Sequence, residues 1–256
     1  MRSSITTRKH KNIYRLLAAA FWLGVWQLAA ILVGQEILLA SPLAAAGRFL
    51  ELTATAAFWR AAAFSLARIF GGFLLGLAAG VLFAALAARF EAVRILLSPI
   101  YSVLRAIPVA SFVIVALIWV PSASLSVLIS FLIVFPILYA STLSEIERTD
   151  PDMLEMARVF RLSRGKKLLY VYALPAAKGF EAACATAIGL AWKSGVAAEL
   201  ISIPSGSIGE KLYMAKVYLM TGDLFAWTAA IVLLSAACAG LFKLLLRTLA
   251  AAAERM

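Results

Sequence analysis

Lys193 and Glu199 interrupt an otherwise apolar run from Ala182 to Leu200. A lone cation or carboxylate in hydrocarbon costs several kcal/mol unless it is paired or wetted. Six residues apart on one helix, the two side chains point about 240° apart and do not stack on each other. Each therefore needs a partner on another helix, or water. They read either as structural charges or as part of a pathway or gate. Arg105, at the edge of a second apolar run, poses the same choice. Arg68, just before Ile69, has the stem length to snorkel to an interface. Other reactive groups are sparse. His10 is the single histidine, in a basic N-terminal tail, and Cys184 and Cys238 sit in separate apolar runs. That is too little, too far apart, for a metal site or a nucleophile with its base. Gly165-Lys-Lys167 lacks the first glycine and the hydroxyl residue of G-x-x-x-x-G-K-[ST], so it makes no phosphate cradle of that kind. No cofactor is expected on this chain.

The most charged segment runs from Glu145 to Lys178. Glu155-Met-Ala157 opens a short amphipathic stretch that continues through Arg158-Val-Phe-Arg161. After Ser163-Arg-Gly165, a second stretch covers Lys166 to Tyr172, and Leu174-Pro175 comes next. The pattern predicts two short helices with a bend at 163–165. Such a segment is either a solvated connector or an element that docks in a groove of a partner.

The elements that carry these residues can be read from composition. Of the 256 residues, 64% are apolar and 14% charged. Ordinary soluble domains are about 45–50% apolar and about 25% charged. That excess excludes a disordered chain, a disulfide scaffold and most soluble enzymes, and points to a polytopic membrane protein. Continuous apolar runs, rather than alternating ones, argue for helices and against a β-barrel. Leu16–Gln35, Ile69–Ala88, Ala182–Leu200 and Leu224–Phe242 each provide one span, and Ala106–Ser144 provides two, turning at Pro121–Ser124. The chain is thus read as one all-α domain over 1–256, with a tail at 1–15 and a loop at 145–178. The first span is longer than a signal-peptide core and is expected to stay.

The net charge is +11. Because the basic residues flank spans, they report orientation, and no nucleic-acid partner is expected. Eighteen Lys and Arg fall in the tails and even-numbered loops against four in the other loops, which places both termini in the cytoplasm. Small residues mark close helix packing: Gly72, Gly76 and Gly80 form one ridge, and Ala183, Ala187, Ala191 and Gly195 another.

Glu155-Met-Ala157, with Leu174-Pro175 some 20 residues later, resembles the E-A-A…G…I-x-L-P signature of ABC importer permeases. Met156 stands for the first Ala of that signature, Arg161 for its Gly, and Leu174-Pro175 comes one residue late. Ser65-Leu-Ala-Arg68 with Gly72-Phe73, Ala191 to Glu199, Ser207-Ile-Gly209 and Asp223 to Trp227 are similar to the nitrate/sulfonate/taurine subfamily. The resemblance covers about residues 40 to 248. It implies the type I permease fold with six transmembrane helices and no enzymatic activity of its own. It also implies an ATPase subunit pair that binds the ATP, an extracytoplasmic solute-binding protein, a second permease copy or homologue, and a bacterial inner membrane. The residues expected to couple to the ATPase are Glu155, Ala157, Arg158 and Arg161 as the contact, Ser163 and Gly165 as the bend behind them, and Leu174 and Pro175 of the signature. The competing readings are an intramembrane enzyme acting on lipid, or a membrane subunit of a different importer type. The scatter of acidic residues disfavours the enzyme.

Overall fold

The computed structural model describes residues 4–254, with side chains over 13–253, so the side chain of His10 lies outside the described residues. Among these residues every regular element is helical. In chain order they are α1 (Ser4–Val33), α2 (Pro42–Thr53), α3 (Ala56–Arg89), α4 (Glu91–Ala106), α5 (Val109–Ala116) and α6 (Ser122–Glu147). Next come α7 (Pro151–Val159), α8 (Arg164–Lys167), a π-helical turn (Leu168–Ala173), α9 (Leu174–Ser202), α10 (Ile208–Val217) and α11 (Thr221–Glu254). Segments of α1, α3, α6, α8–α9 and α11 are each long and apolar enough to cross a membrane.

One expected span takes a different form. Of the two spans expected in Ala106–Ser144, the second is α6, but the first is not one helix. Residues 91–105, expected in a loop, belong with Ala106 to α4, which meets α5 at 105°. Pro108 is the cause. It donates no backbone N–H and pushes the preceding residue out of the helical region, and Ile107 is extended with ψ 125°. Taken together, α4 and α5 have the length and apolar character of a sixth span, bent between them. Arg68 lies within α3, which begins at Ala56, well before Ile69. Its side chain donates to the Ala123 carbonyl, in the first turn of α6, and lies over the Phe64 ring, 3.5 Å from the centroid.

By internal packing the chain divides into two units. The first comprises Met1–Trp59 with Lys211–Ala230. Arg48 holds it together by donating to both oxygens of Asp223 and pairing with Glu51 at 2.8 Å. The hydrogen bond to Asp223, then that to Glu51, raises the Arg48 pKa above its ordinary value. Phe58 stacks on Trp227 at 4.9 Å between centroids, and Trp26 lies against Phe225 at 5.0 Å.

The second unit comprises Arg60–Glu210 with Ile231–Met256. Here α3 and α9 close on α6 through residues with little or no side chain. A Cβ on Gly76 would stand 2.8 Å from Val134 Cβ, and one on Gly80 3.0 Å from Leu138 Cβ. A Cβ on Gly72 would meet the Val127 carbonyl, and one on Gly195 would come within 2.7 Å of Ile69 and 2.9 Å of Ser130. Ala187 and Ala191 are buried on the same side of α9. Such ridges let helix backbones approach in lipid, where helix association depends on contact packing rather than on a hydrophobic drive.

A buried carboxylate fastens the end of this arrangement. Glu199 has no exposure. Its Oε2 accepts from Ser65 Oγ of α3 at 2.6 Å and from the Gly209 N–H at 3.3 Å. Ser65 Oγ in turn accepts from Ile208 N–H at 2.9 Å. One carboxylate oxygen thus gathers α3, α9 and the first turn of α10, whose free N–H groups favour an anion. A Cβ at Gly209 would collide with Glu199, so only glycine permits the approach.

Substitutions on these contacts have expected outcomes. Gly76→Leu should destabilise the purified subunit by about 1–3 kcal/mol through overpacking, while Gly240→Leu, in open space, should leave the thermal midpoint unchanged. Glu199→Gln keeps an oxygen that can accept both hydrogen bonds and should lower the midpoint less than Glu199→Leu, which strands buried donors at about 1–3 kcal/mol.

Candidate functional site

The 151–175 segment starts with a capped helix. Asp150 Oδ1 accepts from the Asp152 N–H at 2.9 Å, and Pro151 occupies the first turn, where its missing N–H costs nothing. In α7, Glu155 and Arg158 are exposed. Ala157 is not: it is 4% exposed and faces its own chain, where α7 packs against the π-helical turn. Its small side chain therefore serves an internal approach, not the outside contact expected from the sequence. The exposed surface is instead apolar. Val159 is 71% and Phe160 72% exposed, with Met156 beside them at 45%. Sequence reasoning misses these three as contact residues; the signal is present as apolar residues set among charges in a polar stretch.

The segment turns earlier than expected. Leu162 N–H donates to Ala157 O at 3.0 Å and Arg161 N–H to Arg158 O at 3.1 Å. With Arg161 at φ 50°, this is a left-handed Schellman stop. Arg161 stands where the signature has glycine, and the geometry explains that glycine: the position is the left-handed residue of the stop. A residue with a Cβ is strained there by about 1–2 kcal/mol. The bend thus lies at 160–162, not at 163–165. Ser163 caps α8, accepting from Lys166 N–H at 3.5 Å. Gly165 is helical, with open space around its Cα.

From Arg164 the chain runs helically to Ser202, so the expected second short helix is the start of a long one. Pro175 does not end it. Proline removes a donor and its ring strikes the carbonyl four residues back. The π-helical turn just before it widens the ladder: Leu174 N–H donates to Leu169 O, five residues back. Leu174 and Pro175 accordingly belong to the helix and not to a loop. Leu174 lines an open groove of about 960 Å³, to which Glu145, Lys178, Glu181 and Arg247 also contribute. Glu181 is held there by Arg247 at 3.0 Å and Lys243 at 2.9 Å.

The three span charges separate. Glu199 is buried in its anchor between α3 and α10. Arg105 is exposed at the end of α4; it donates to Tyr101 Oη at 2.9 Å and lies 5.3 Å from that ring's centroid. Lys193 is exposed on α9 and makes no ion pair among the described residues. Ser65 and Gly209, the partners of Glu199, are 134 and 10 residues away from it in sequence; periodicity alone does not find them. Among the described residues no three His, Cys, Asp or Glu gather as a metal site.

Comparison with known proteins agrees with this architecture. The family described as binding-protein-dependent transport system inner membrane component matches residues 72–255. That range contains the α7 segment, most of α3, and α4 through α11. The chain is also 27% identical over 214 residues to the putative aliphatic sulfonates transport permease protein SsuC of Bacillus subtilis (strain 168), covering 82% of this chain and 77% of that protein. A helical chain with five long apolar helices and a bent pair with the character of a sixth, matched over most of its length by this family, belongs to it: the protein is a multi-pass transmembrane permease subunit of an ATP-binding-cassette importer, of the type I fold, and not an enzyme.

Proposed function

We propose that this permease moves a small organic anion of the sulfonate type across the bacterial inner membrane by alternating access. The energy comes from a separate ATPase subunit pair that binds the ATP, and the solute is handed over by an extracytoplasmic binding protein. A second permease copy or homologue completes the pathway. The sulfonate class is supported by the name that the Bacillus subtilis relative carries.

The observation that carries the coupling reading is the exposed apolar surface of α7. Met156, Val159 and Phe160 project from a short helix fixed at both ends, by the Asp150 cap and the Arg161 stop. Apolar side chains of this size, exposed together in a polar segment, favour a partner groove over a solvated connector. Glu155 and Arg158 flank them as charges that orient docking. Ala157, Leu174 and Pro175 shape the segment from within, while Ser163 caps the helix that transmits its motion to α9.

Placing a charge in that apolar surface tests the reading. Phe160→Asp and Val159→Asp, in vesicles with the ATPase and binding protein, should lower uptake and solute-stimulated ATP hydrolysis by at least about tenfold, with expression and thermal midpoint unchanged. Wild-type uptake in both variants would make the segment a connector. Orientation is tested separately. In a background lacking Cys184 and Cys238, Ala252→Cys and Gly165→Cys should react with an impermeant thiol reagent from the cytoplasmic face, and Ser205→Cys from the other face. Ser205 is exposed, whereas its neighbour Ser207 is buried. Labelling of Ser205→Cys only from the cytoplasmic face would overturn the topology.

A further inference from the structure

Lys193 lies near the middle of the apolar part of α9, between buried Trp192 and buried Ser194, yet its own side chain points out of the subunit. A cation in that position cannot face lipid cheaply. Nor can it snorkel. Leu200 lies seven residues on, ~10 Å along the axis, and helical side chains tilt away from that end, toward the N-terminus. The other edge, at Ala182, is eleven residues back, ~16 Å, beyond the reach of a four-carbon stem.

Among the described residues no carboxylate pairs with it. Glu199 is sealed, and Glu181 is held by Lys243 and Arg247. Glu145 sits beside Gly179, fourteen residues or ~21 Å along α9 from Lys193. Within the subunit the ammonium is therefore open to water or a mobile anion. Its surroundings on that face of α9 suit a solute better than acyl chains: Thr186 and Gly189 precede it by two turns and one turn, and Gly189 opens onto empty space.

We infer that the Lys193 ammonium contacts the anionic group of the solute during passage, so that this permease contributes to selection for a negative charge. The inference rests on the proposed reading that the solute is an organic anion.

Two measurements on the assembled complex in vesicles separate the two claims. The first needs no substrate. In the background lacking Cys184 and Cys238, Lys193→Cys should be modified by 2-sulfonatoethyl methanethiosulfonate, an aqueous sulfonate, at rest or during ATP turnover. No modification in either condition, with Ala252→Cys labelled as control, overturns the inference. The second uses labelled ethanesulfonate with the cognate binding protein. Lys193→Gln should lower its uptake by about tenfold, with basal ATP hydrolysis and two-copy assembly unchanged, and Lys193→Arg should restore most of it. Wild-type uptake in Lys193→Gln, or loss of assembly, overturns the inference. Failure of the unaltered complex to move ethanesulfonate overturns the sulfonate reading instead, and leaves Lys193 to be judged by the labelling.

Discussion

The close approach of three helix backbones in the second unit is the constraint on which the rest depends. Lipid tails are as apolar as leucine, so membrane helices gain little by hiding apolar surface from them. What remains is contact at short range, and this needs residues that do not hold the backbones apart. Gly72, Gly76 and Gly80 on α3, and Gly195 with Ala187 and Ala191 on α9, meet that need against α6. Glu199 then fixes the register, because its Oε2 can be reached by Ser65 and Gly209 together in only one setting of α9 against α3 and the start of α10.

Fixing one face of α9 so firmly determines what its other face presents. With Ala187, Ala191 and Gly195 turned inward, Lys193 is turned outward, and its charge must be met by something outside the subunit. The same helix extends without a stop through Pro175 and the π-helical turn to Arg164. A displacement at α7 therefore has a route toward the depth of Lys193 through the tight stop at 160–162 and then one helix, widened at the π-helical turn. This continuity supports the proposed coupling: the proposed docking segment and the helix that carries Lys193 are joined by a short capped turn and continuous helix.

One of the three left-handed non-glycine residues among the described residues lies beside the proposed contact surface; the others are Ile203 and Leu219. Arg161 takes a left-handed conformation that suits glycine, and it does so to let α7 stop within two residues of Phe160. The sharp stop holds Val159 and Phe160 at the tip of the helix and not along a continuing one. A residue in such a setting persists only where the surroundings over-determine it, here by the paired Schellman hydrogen bonds and the inward packing of Ala157.

Much of this was legible in the sequence. The apolar runs gave the long helices because a span needs about 20 residues without charge, and the glycine spacing marked the packing face because i, i+4 positions share one side of a helix. The family resemblance rested on short motifs that survive as local sequence. What periodicity does not carry is which way a face turns in three dimensions. Ala157 reads as a surface contact until α7 is seen to pack it inward, and Glu199 reads as a possible gate until Ser65, 134 residues away, is found beside it. Pro108 and Pro175 show the same limit. Both are breakers by local rule; one bends its span by 105° and the other is absorbed into a continuous helix. The difference lies in whether the backbone around each proline can re-register its hydrogen bonds, as the π-helical turn before Pro175 does, and only the packed structure decides that.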